Sequence, residues 1–409
     1  MLKKLEEYAR LLIEVGLNVQ KGQDVVVNSP VDCAPFARMC VKAAFDVGAR
    51  DVHVFWRDDA VAREHWLRAA DDVFDEYPMW QVERNMGLAE KNCAWLSISA
   101  TDPENLKGVD PERLSRFNKV SGEATRDFHM KIMNSEIPWC VGSVPVKSWA
   151  KKVFPGSDEK EAIDKLWDAI FSSVRIEGDG KAVENWRKHC KYLEEQSKKL
   201  NDYNFRKLHY TNSLGTDLTI ELPEGHIWTG GAEDSASGIN FVANMPTEEI
   251  FTAPLRTGVN GVVYASKPLV IDGNLVENFH MRFEDGKIVE VHAEKGEDVL
   301  IKAIHTDENS VYLGEVALVP YDSPISKSGI LFYNTLFDEN ASCHLAFGAA
   351  YPSCIKNGNS MTSEQLIAHG LNDSNEHCDF MVGTRDLRIT GTTHDGKEIV
   401  VFDNGNFAI

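Results

Sequence analysis

The pattern of apolar residues changes once along this chain, near residue 205, and that change restricts the architecture more than any single motif. Before it, helical stretches alternate with short apolar runs. A helix is predicted over 2–15, followed by Asp24-Val25-Val26-Val27-Asn28. A second, over 34–47, precedes Asp51-Val52-His53-Val54-Phe55-Trp56. A further helical stretch leads to Ala94-Trp95-Leu96-Ser97-Ile98-Ser99, and Trp139-Cys140-Val141-Gly142 reads as a fourth strand. Strands separated by helices indicate a doubly wound, mostly parallel sheet, so residues 1–205 are expected to form an α/β domain. A charged helix over 184–201 closes that half. From Lys207 the chain reads as strands joined by hairpin turns, at Asn212 to Asp217, Ile271-Asp272-Gly273-Asn274, Glu284-Asp285-Gly286-Lys287 and His394-Asp395-Gly396-Lys397. Residues 206–409 are therefore expected to form a strand-rich α+β domain.

Such parallel sheets often bind nucleotides, but neither a G-x-G-x-x-G nor a Walker lysine loop follows these strands. A net charge of −20 disfavours nucleic acid, whose phosphates would be repelled, and suits a site that receives cations. The densest basic pairs, Lys151-Lys152 and Lys198-Lys199, lie in acidic helical sequence and read as solvated faces. No apolar run reaches the roughly 20 residues that span a bilayer, so no membrane partner is expected. Eight cysteines are scattered without a C-x-x-C pair, and Leu2-Lys3-Lys4 opens an amphipathic helix rather than a secretory leader. Reduced thiols and a cytoplasmic location are the expectation.

The chemistry is concentrated in the second half. In His377-Cys378-Asp379-Phe380-Met381-Val382 an imidazole and a carboxylate stand two residues apart in an apolar run. On a strand they share one face, and Cys378 takes the other. Gly314-Glu315-Val316-Ala317-Leu318 holds one carboxylate in an otherwise apolar strand, where an unpaired charge is costly. His344 stands among small and apolar residues, with Tyr351 seven positions on, and Glu248-Glu249 lies between Pro246 and Ile250-Phe251. Each has a plainer reading. His377 and Asp379 can be a hydrogen-bonded strand pair, Glu315 can pair with a base, His344 can be a core histidine, and Glu248-Glu249 a solvated loop. Together they offer carboxylates and imidazoles suited to a pair of divalent cations, with no thiolate required. A zinc ion held by Cys343 or Cys378 is the competing arrangement.

These segments, 244–252, 314–318, 339–351 and 375–383, resemble the four motifs of the M29 peptidases, cytosolic metallo-aminopeptidases of the aminopeptidase T, aminopeptidase S and PepS type, and the similarity runs essentially end to end. Carried over position by position, the resemblance implies metal ligands at Glu249, Glu315, His344, His377 and Asp379, and a catalytic tyrosine at Tyr351. It implies two divalent ions (zinc, cobalt or manganese), peptide substrates with a free N-terminus, and a homodimer. Glu315 is the choice for the bridging carboxylate, and Glu249 is read as a ligand, a general base, or both.

Residue chemistry alone reaches a two-metal hydrolase. A phosphoesterase-like enzyme uses the same ligand types but also wants cations for phosphate, for which Arg256, Arg282 and Arg385 are available. A non-enzymatic protein stabilised by its ions is the third possibility. Tyr351, followed by Pro352, also reads as a turn residue with a structural hydroxyl.

Overall fold

The structure, a computed structural model, describes residues 1–100, 102, 104–271 and 274–409. Two compact units are present: residues 1–188 with 232–246, and residues 189–231 with 247–409. The division falls inside the helix Ala182–Tyr203.

The first unit is built on a five-stranded parallel sheet. Its order is Asp51–Arg57, Asp24–Pro30, Ala94–Ser99, Trp139–Ser143 and Asn244–Met245. Numbered along the chain this is 2-1-3-4-5, a doubly wound order, as the alternation of helices and strands predicts. Val25, Val26 and Val27 are fully buried, the continuous apolar run of a strand covered on both faces. The first helix, Leu2–Leu11, passes into a π-helical turn through Gly16. Its close approach depends on Gly142, where a Cβ would stand 2.7 Å from a Leu12 methyl. Tyr8 fastens the contact, its hydroxyl accepting the Ser143 N–H at 2.9 Å.

The second unit contains two antiparallel sheets. The larger runs Leu269–Ile271, Asn274–Glu284, Val259–Tyr264, Asp217–Glu221, Phe205–Thr211, Arg388–Thr393, Glu398–Asp403 and Asn406–Phe407, with Lys287–Lys295 also paired to Asn274–Glu284. The Asp285-Gly286 turn has φ of +46° and +84° at its two central residues, which is why a D-G pair closes this hairpin. The 212–217 and 394–397 turns likewise join paired strands. For the remaining turn, Ile271 pairs with Asn274, and Asp272 and Gly273 lie outside the described residues.

The smaller sheet carries the proposed ligand segments. Its order is Ile250–Thr252, Leu313–Leu318, His344–Gly348 and His377–Met381. One face, formed by Ile250, Val316, Leu318, Leu345, Phe347 and Phe380, packs into a core shared with Leu208, Leu218, Phe279, Met281 and Ile389 of the larger sheet. Each fully buried Leu or Phe contributes about 1.5–3 kcal/mol.

Candidate metal centre

Strand alternation brings Glu315, His344, His377 and Asp379 to one face of the smaller sheet, and Glu249 immediately precedes its strand Ile250–Thr252. Leu345 and Phe347 point into the core, so His344, Ala346 and Gly348 point away from it. Ala346 is in register with Glu315 on one side and Asp379 on the other, while His344 pairs with Ala317 and His377 with Gly348. Ala346 and Gly348, opposite Glu315, Asp379 and His377, leave room for the charged groups. A register irregularity between Leu313 and Glu315 lets Leu313, Val316 and Leu318 all reach the core while Glu315 turns outward. His377 and Asp379 sit on the edge strand, and Cys378 packs on the core side, as period-two alternation predicts.

The result is two triads of donor atoms, Glu249–Glu315–His344 and Glu315–His377–Asp379, each with its atoms within 4.8 Å of one another. Glu315 is common to both. Its Oε1 lies 3.4 Å from His344 Nε2 and its Oε2 lies 3.6 Å from His377 Nε2. Glu249 Oε2 is 3.2 Å from His344 Nε2, and Asp379 Oδ1 is 3.4 Å from His377 Nε2. Both imidazoles are oriented from behind. His344 Nδ1 contacts Ser342 O at 3.1 Å, and His377 Nδ1 contacts Ala349 O at 2.9 Å. A carbonyl requires a proton on Nδ1, which leaves each Nε2 facing its carboxylates. Side-chain exposure rises from 1% at His344 to 25% at His377, so the site opens toward the His377 side.

The electrostatics are those of crowded, desolvated charges. Burial holds the Glu315 carboxyl above its usual range, against the His344 hydrogen bond. Burial pulls the His377 imidazole down, but Asp379 and Glu315 override it and push it up to about 10. His344 is likewise carried well above the ordinary histidine range, because Glu249 and Glu315 outweigh its burial. Asp379 stays below the usual carboxylate range, the His377 charge outweighing desolvation.

Tyr351 borders the same site. Its ring stands edge-on to His377 at 5.2 Å and to Phe251 at 5.7 Å, over a small core of Ala253, Cys354, Ile355 and Leu371. Burial and the Glu315 and Asp379 charges hold its phenol well above the normal range, so it stays a hydrogen-bond donor. Among the described residues its hydroxyl has no hydrogen-bond partner, contrary to the structural-hydroxyl reading. Glu248 is buried rather than solvated, its side chain 3.5 Å from His189 Nε2. Cys343 exchanges hydrogen bonds with the Val319 backbone, both at 3.3 Å, and burial pushes its thiol up to about 12. Neither it nor Cys378 joins a donor triad. Two of the three arginines are engaged elsewhere. Arg256 bonds Asn372 and Asn309 over the Tyr312 ring, and Arg282 pairs with Glu284 and Glu290.

One carboxylate escaped the sequence reading. Glu339, in the turn Glu339–Ala341, feels the charges of Glu249, Asp379, His344 and Glu315. Its sequence context, Phe337-Asp338-Glu339-Asn340, looks like a surface helix end. The only available signal was that it opens the segment containing His344.

Paired carboxylate–imidazole triads sharing one glutamate, held on the face of a buried antiparallel sheet, are groups that could hold metal ions, as a metal-dependent hydrolase requires. The comparisons with known proteins agree. The family model described as "Thermophilic metalloprotease (M29)" matches residues 1–407, and the chain belongs to this family. It is 48% identical to aminopeptidase AmpS of Bacillus subtilis over 406 residues, covering 99% of this chain and 98% of that one. It is 45% identical to aminopeptidase 2 of Geobacillus stearothermophilus over 406 residues, with 99% and 98% covered. Among solved structures it resembles wild-type AmpT from Thermus thermophilus, with a TM-score of 0.93, 39% identity and 99% of each chain covered.

Proposed function

We propose that this protein is a metal-dependent aminopeptidase that releases N-terminal residues from peptides, using two divalent ions at the Glu249–Glu315–His344 and Glu315–His377–Asp379 triads. The observation that carries this reading is Glu315, whose two oxygens face different imidazoles. A carboxylate so placed would be able to serve both ions, one through each oxygen. Oxygen and nitrogen donors without thiolate fit zinc, cobalt or manganese. The chemistry such ions supply is a water activated near neutral pH and a polarised scissile carbonyl.

The chain's own groups do the rest. The Ser342 and Ala349 carbonyls keep both imidazoles in the Nδ1–H form. Glu249 presents Oε2 to His344, and its other oxygen, unbonded among the described residues, takes the proton of the attacking water. That proton passes to the amide nitrogen as the C–N bond breaks. Tyr351 donates to the carbonyl oxygen as it becomes an oxyanion. The family relatives' names support the aminopeptidase activity. Eight free cysteines accord with a reducing, cytoplasmic location, and a homodimer rests on the family resemblance. Among the described residues no helix is long and apolar enough to cross a membrane.

A peptide with a free N-terminus should lose residues one at a time, while its acetylated counterpart should remain intact. Chromatography of timed digests reads both, and efficient cleavage of the acetylated peptide would make the enzyme something other than an aminopeptidase. Activity should vanish with a chelator and return with added Co²⁺, Mn²⁺ or Zn²⁺. A phosphate ester turned over in the same assay would favour the phosphoesterase reading.

Loading should also be pH-dependent, with a sign set by the imidazoles. In ion-free protein His344 and His377 are raised above the normal range, so both hold a proton at pH 7. A ligand imidazole must be neutral at Nε2, so ion binding expels protons and weakens as pH falls. Calorimetric titration of chelator-stripped protein in buffers of different ionisation enthalpy measures the release. No proton release at pH 7 would contradict ligation by these histidines.

A further inference from the structure

One face of the parallel sheet in the first unit changes character along its strands. Near their amino-terminal ends it is apolar, and Val26, Trp95 and Trp139 share a core with Phe128 and Ile132 of the helix Pro111–Met133. Side chains two residues further along a strand keep the same face. That places Asn28, Ser97 and Asn244 beyond this core, all partly exposed, and Ser143 beyond them, fully buried. Register sets Asn28 beside Ser97, and Asn244 beside Val141. The Ser143 Oγ is buried without a hydrogen-bond partner, and the Asn28, Ser97 and Asn244 side chains make no hydrogen bond among the described residues. Asn28 and Ser97 flank the point, between Asp24–Pro30 and Ala94–Ser99, where the strand order reverses. Open α/β sheets bind ligands at such a point, outside the carboxyl ends of the strands.

Two guanidinium groups border the same polar end. Phe55 lies beside Asn28 across the sheet, and Arg84 of the helix Met79–Ala89 covers the Phe55 ring at 3.8 Å. Arg57, two residues beyond Phe55, reaches over the intervening strand to donate to Ile98 O at 2.8 Å. Neither arginine has a carboxylate within ion-pair distance among the described residues. The hydrogen bonds of Arg84 go only to the Asn85 carboxamide, and Asp59 acts on Arg57 at longer range. Burial pulls both guanidinium groups below their ordinary range. With 63 acidic against 43 basic residues, acids are not scarce in this chain, so the missing counter-charge belongs to this place. We propose that Asn28, Ser97, Ser143 and Asn244, with Arg57 and Arg84, form a binding site for a carboxylate ligand that uses none of the metal-ligand residues. A guanidinium fork matches a carboxylate through two parallel bonds, and hydroxyl and carboxamide donors complete its shell. A polyphosphate fits poorly, because no glycine-rich loop follows these strands and Asp59, with Asp32 and Asp102 near it, repels multiple charge. On the aminopeptidase reading, the carboxylate is that of a peptide's C-terminus or of a released amino acid.

The test is calorimetric titration of metal-loaded protein with N-acetyl-leucine and with N-acetyl-leucinamide, neither of which offers a free N-terminus. Wild type should bind the acid roughly 10- to 100-fold more tightly than the amide, the scale of one hydrogen bond between charged groups. Arg84→Gln and Arg57→Gln should each lose most of that preference. Glu315→Gln should keep it, since the site contains no proposed metal ligand. Leucine and acetyl-Gly-Gly-Leu then separate the two sources. Tighter binding of the blocked peptide, lost in Arg84→Gln, identifies a peptide C-terminus, and tighter binding of leucine, lost in the same variant, identifies a released amino acid.

Equal affinity of wild type for acid and amide would overturn the proposal. So would an acid preference that survives in both arginine variants, or one that disappears in Glu315→Gln, which would put the carboxylate on the ions. Tighter binding of inorganic phosphate than of N-acetyl-leucine would overturn the carboxylate assignment. Arg57→Gln also removes the bond to Ile98 O, so melting temperatures are recorded for every variant. Should it not fold, Arg84→Gln decides alone, because that side chain bonds only its sequence neighbour. Failure of the protein to distinguish free from acetylated peptides would count against the aminopeptidase reading and leave these titrations untouched, since the blocked ligands are not its substrates.

Discussion

Glu315→Gln should lower peptide hydrolysis by more than roughly 10²-fold while leaving the protein folded, because both triads depend on that one carboxylate. The two halves of the expectation have separate causes. Glu315 faces His344 with one oxygen and His377 with the other, so an amide there offers one neutral oxygen and a nitrogen that repels a cation. Folding should suffer little, since the side chain is almost inaccessible and its burial already opposes the charge. Neutralising it removes a desolvation cost while nearly preserving volume. Elemental analysis should find less than the wild-type metal content, and ion-free melting temperatures should be close. A variant with full metal content and full activity would remove Glu315 from the centre of the mechanism.

Tyr351→Phe should lower kcat by roughly 10²-fold or more, the scale for one lost oxyanion donor. KM and bound metal should change little, because the hydrogen bond forms mainly in the transition state. Stability should hold as well. The hydroxyl has no hydrogen-bond partner among the described residues, and the ring contacts with His377 and Phe251 survive in phenylalanine. The competing structural role predicts the reverse, a loss of about 1 kcal/mol of stability with kcat nearly intact. Measuring kcat, metal content and melting temperature on this one variant separates the two. A normal kcat would exclude Tyr351 from the reaction without disturbing the metal assignment.

Local periodicity carried much of the site. A period of two is enough to put His377 and Asp379 on one face and Cys378 on the other, since successive strand residues point to opposite sides whatever lies beyond the strand. It is also enough to mark Glu315 as an intruder in apolar sequence. The turn at Asp285-Gly286 was readable because its positive φ values demand such residues. The Val25-Val26-Val27 run was readable as a strand covered on both faces. The strand-rich character of the second half followed from the same local rules.

Long-range pairing is where sequence stops. That Asn244–Met245 completes the parallel sheet of the first unit, although it lies deep in the strand-rich half, is decided by backbone pairing with Trp139–Ser143. No local property of two residues records such a partner. The irregularity before Glu315, which lets Leu313 join Val316 and Leu318 in the core, is likewise a property of two strands together. Glu339 shows the limit most clearly. Its own sequence describes an ordinary helix end, and only the Asn340 bridge to the Glu248 backbone brings it beside the other carboxylates. Sequence by itself determined which side chains are chemically able to hold cations and which way each faces on its strand, because those are properties of residue type and backbone period. Tertiary structure alone decided that three strands, the residue ahead of a fourth and one turn bring their charges together, because register and packing are set by contacts between segments far apart in the chain.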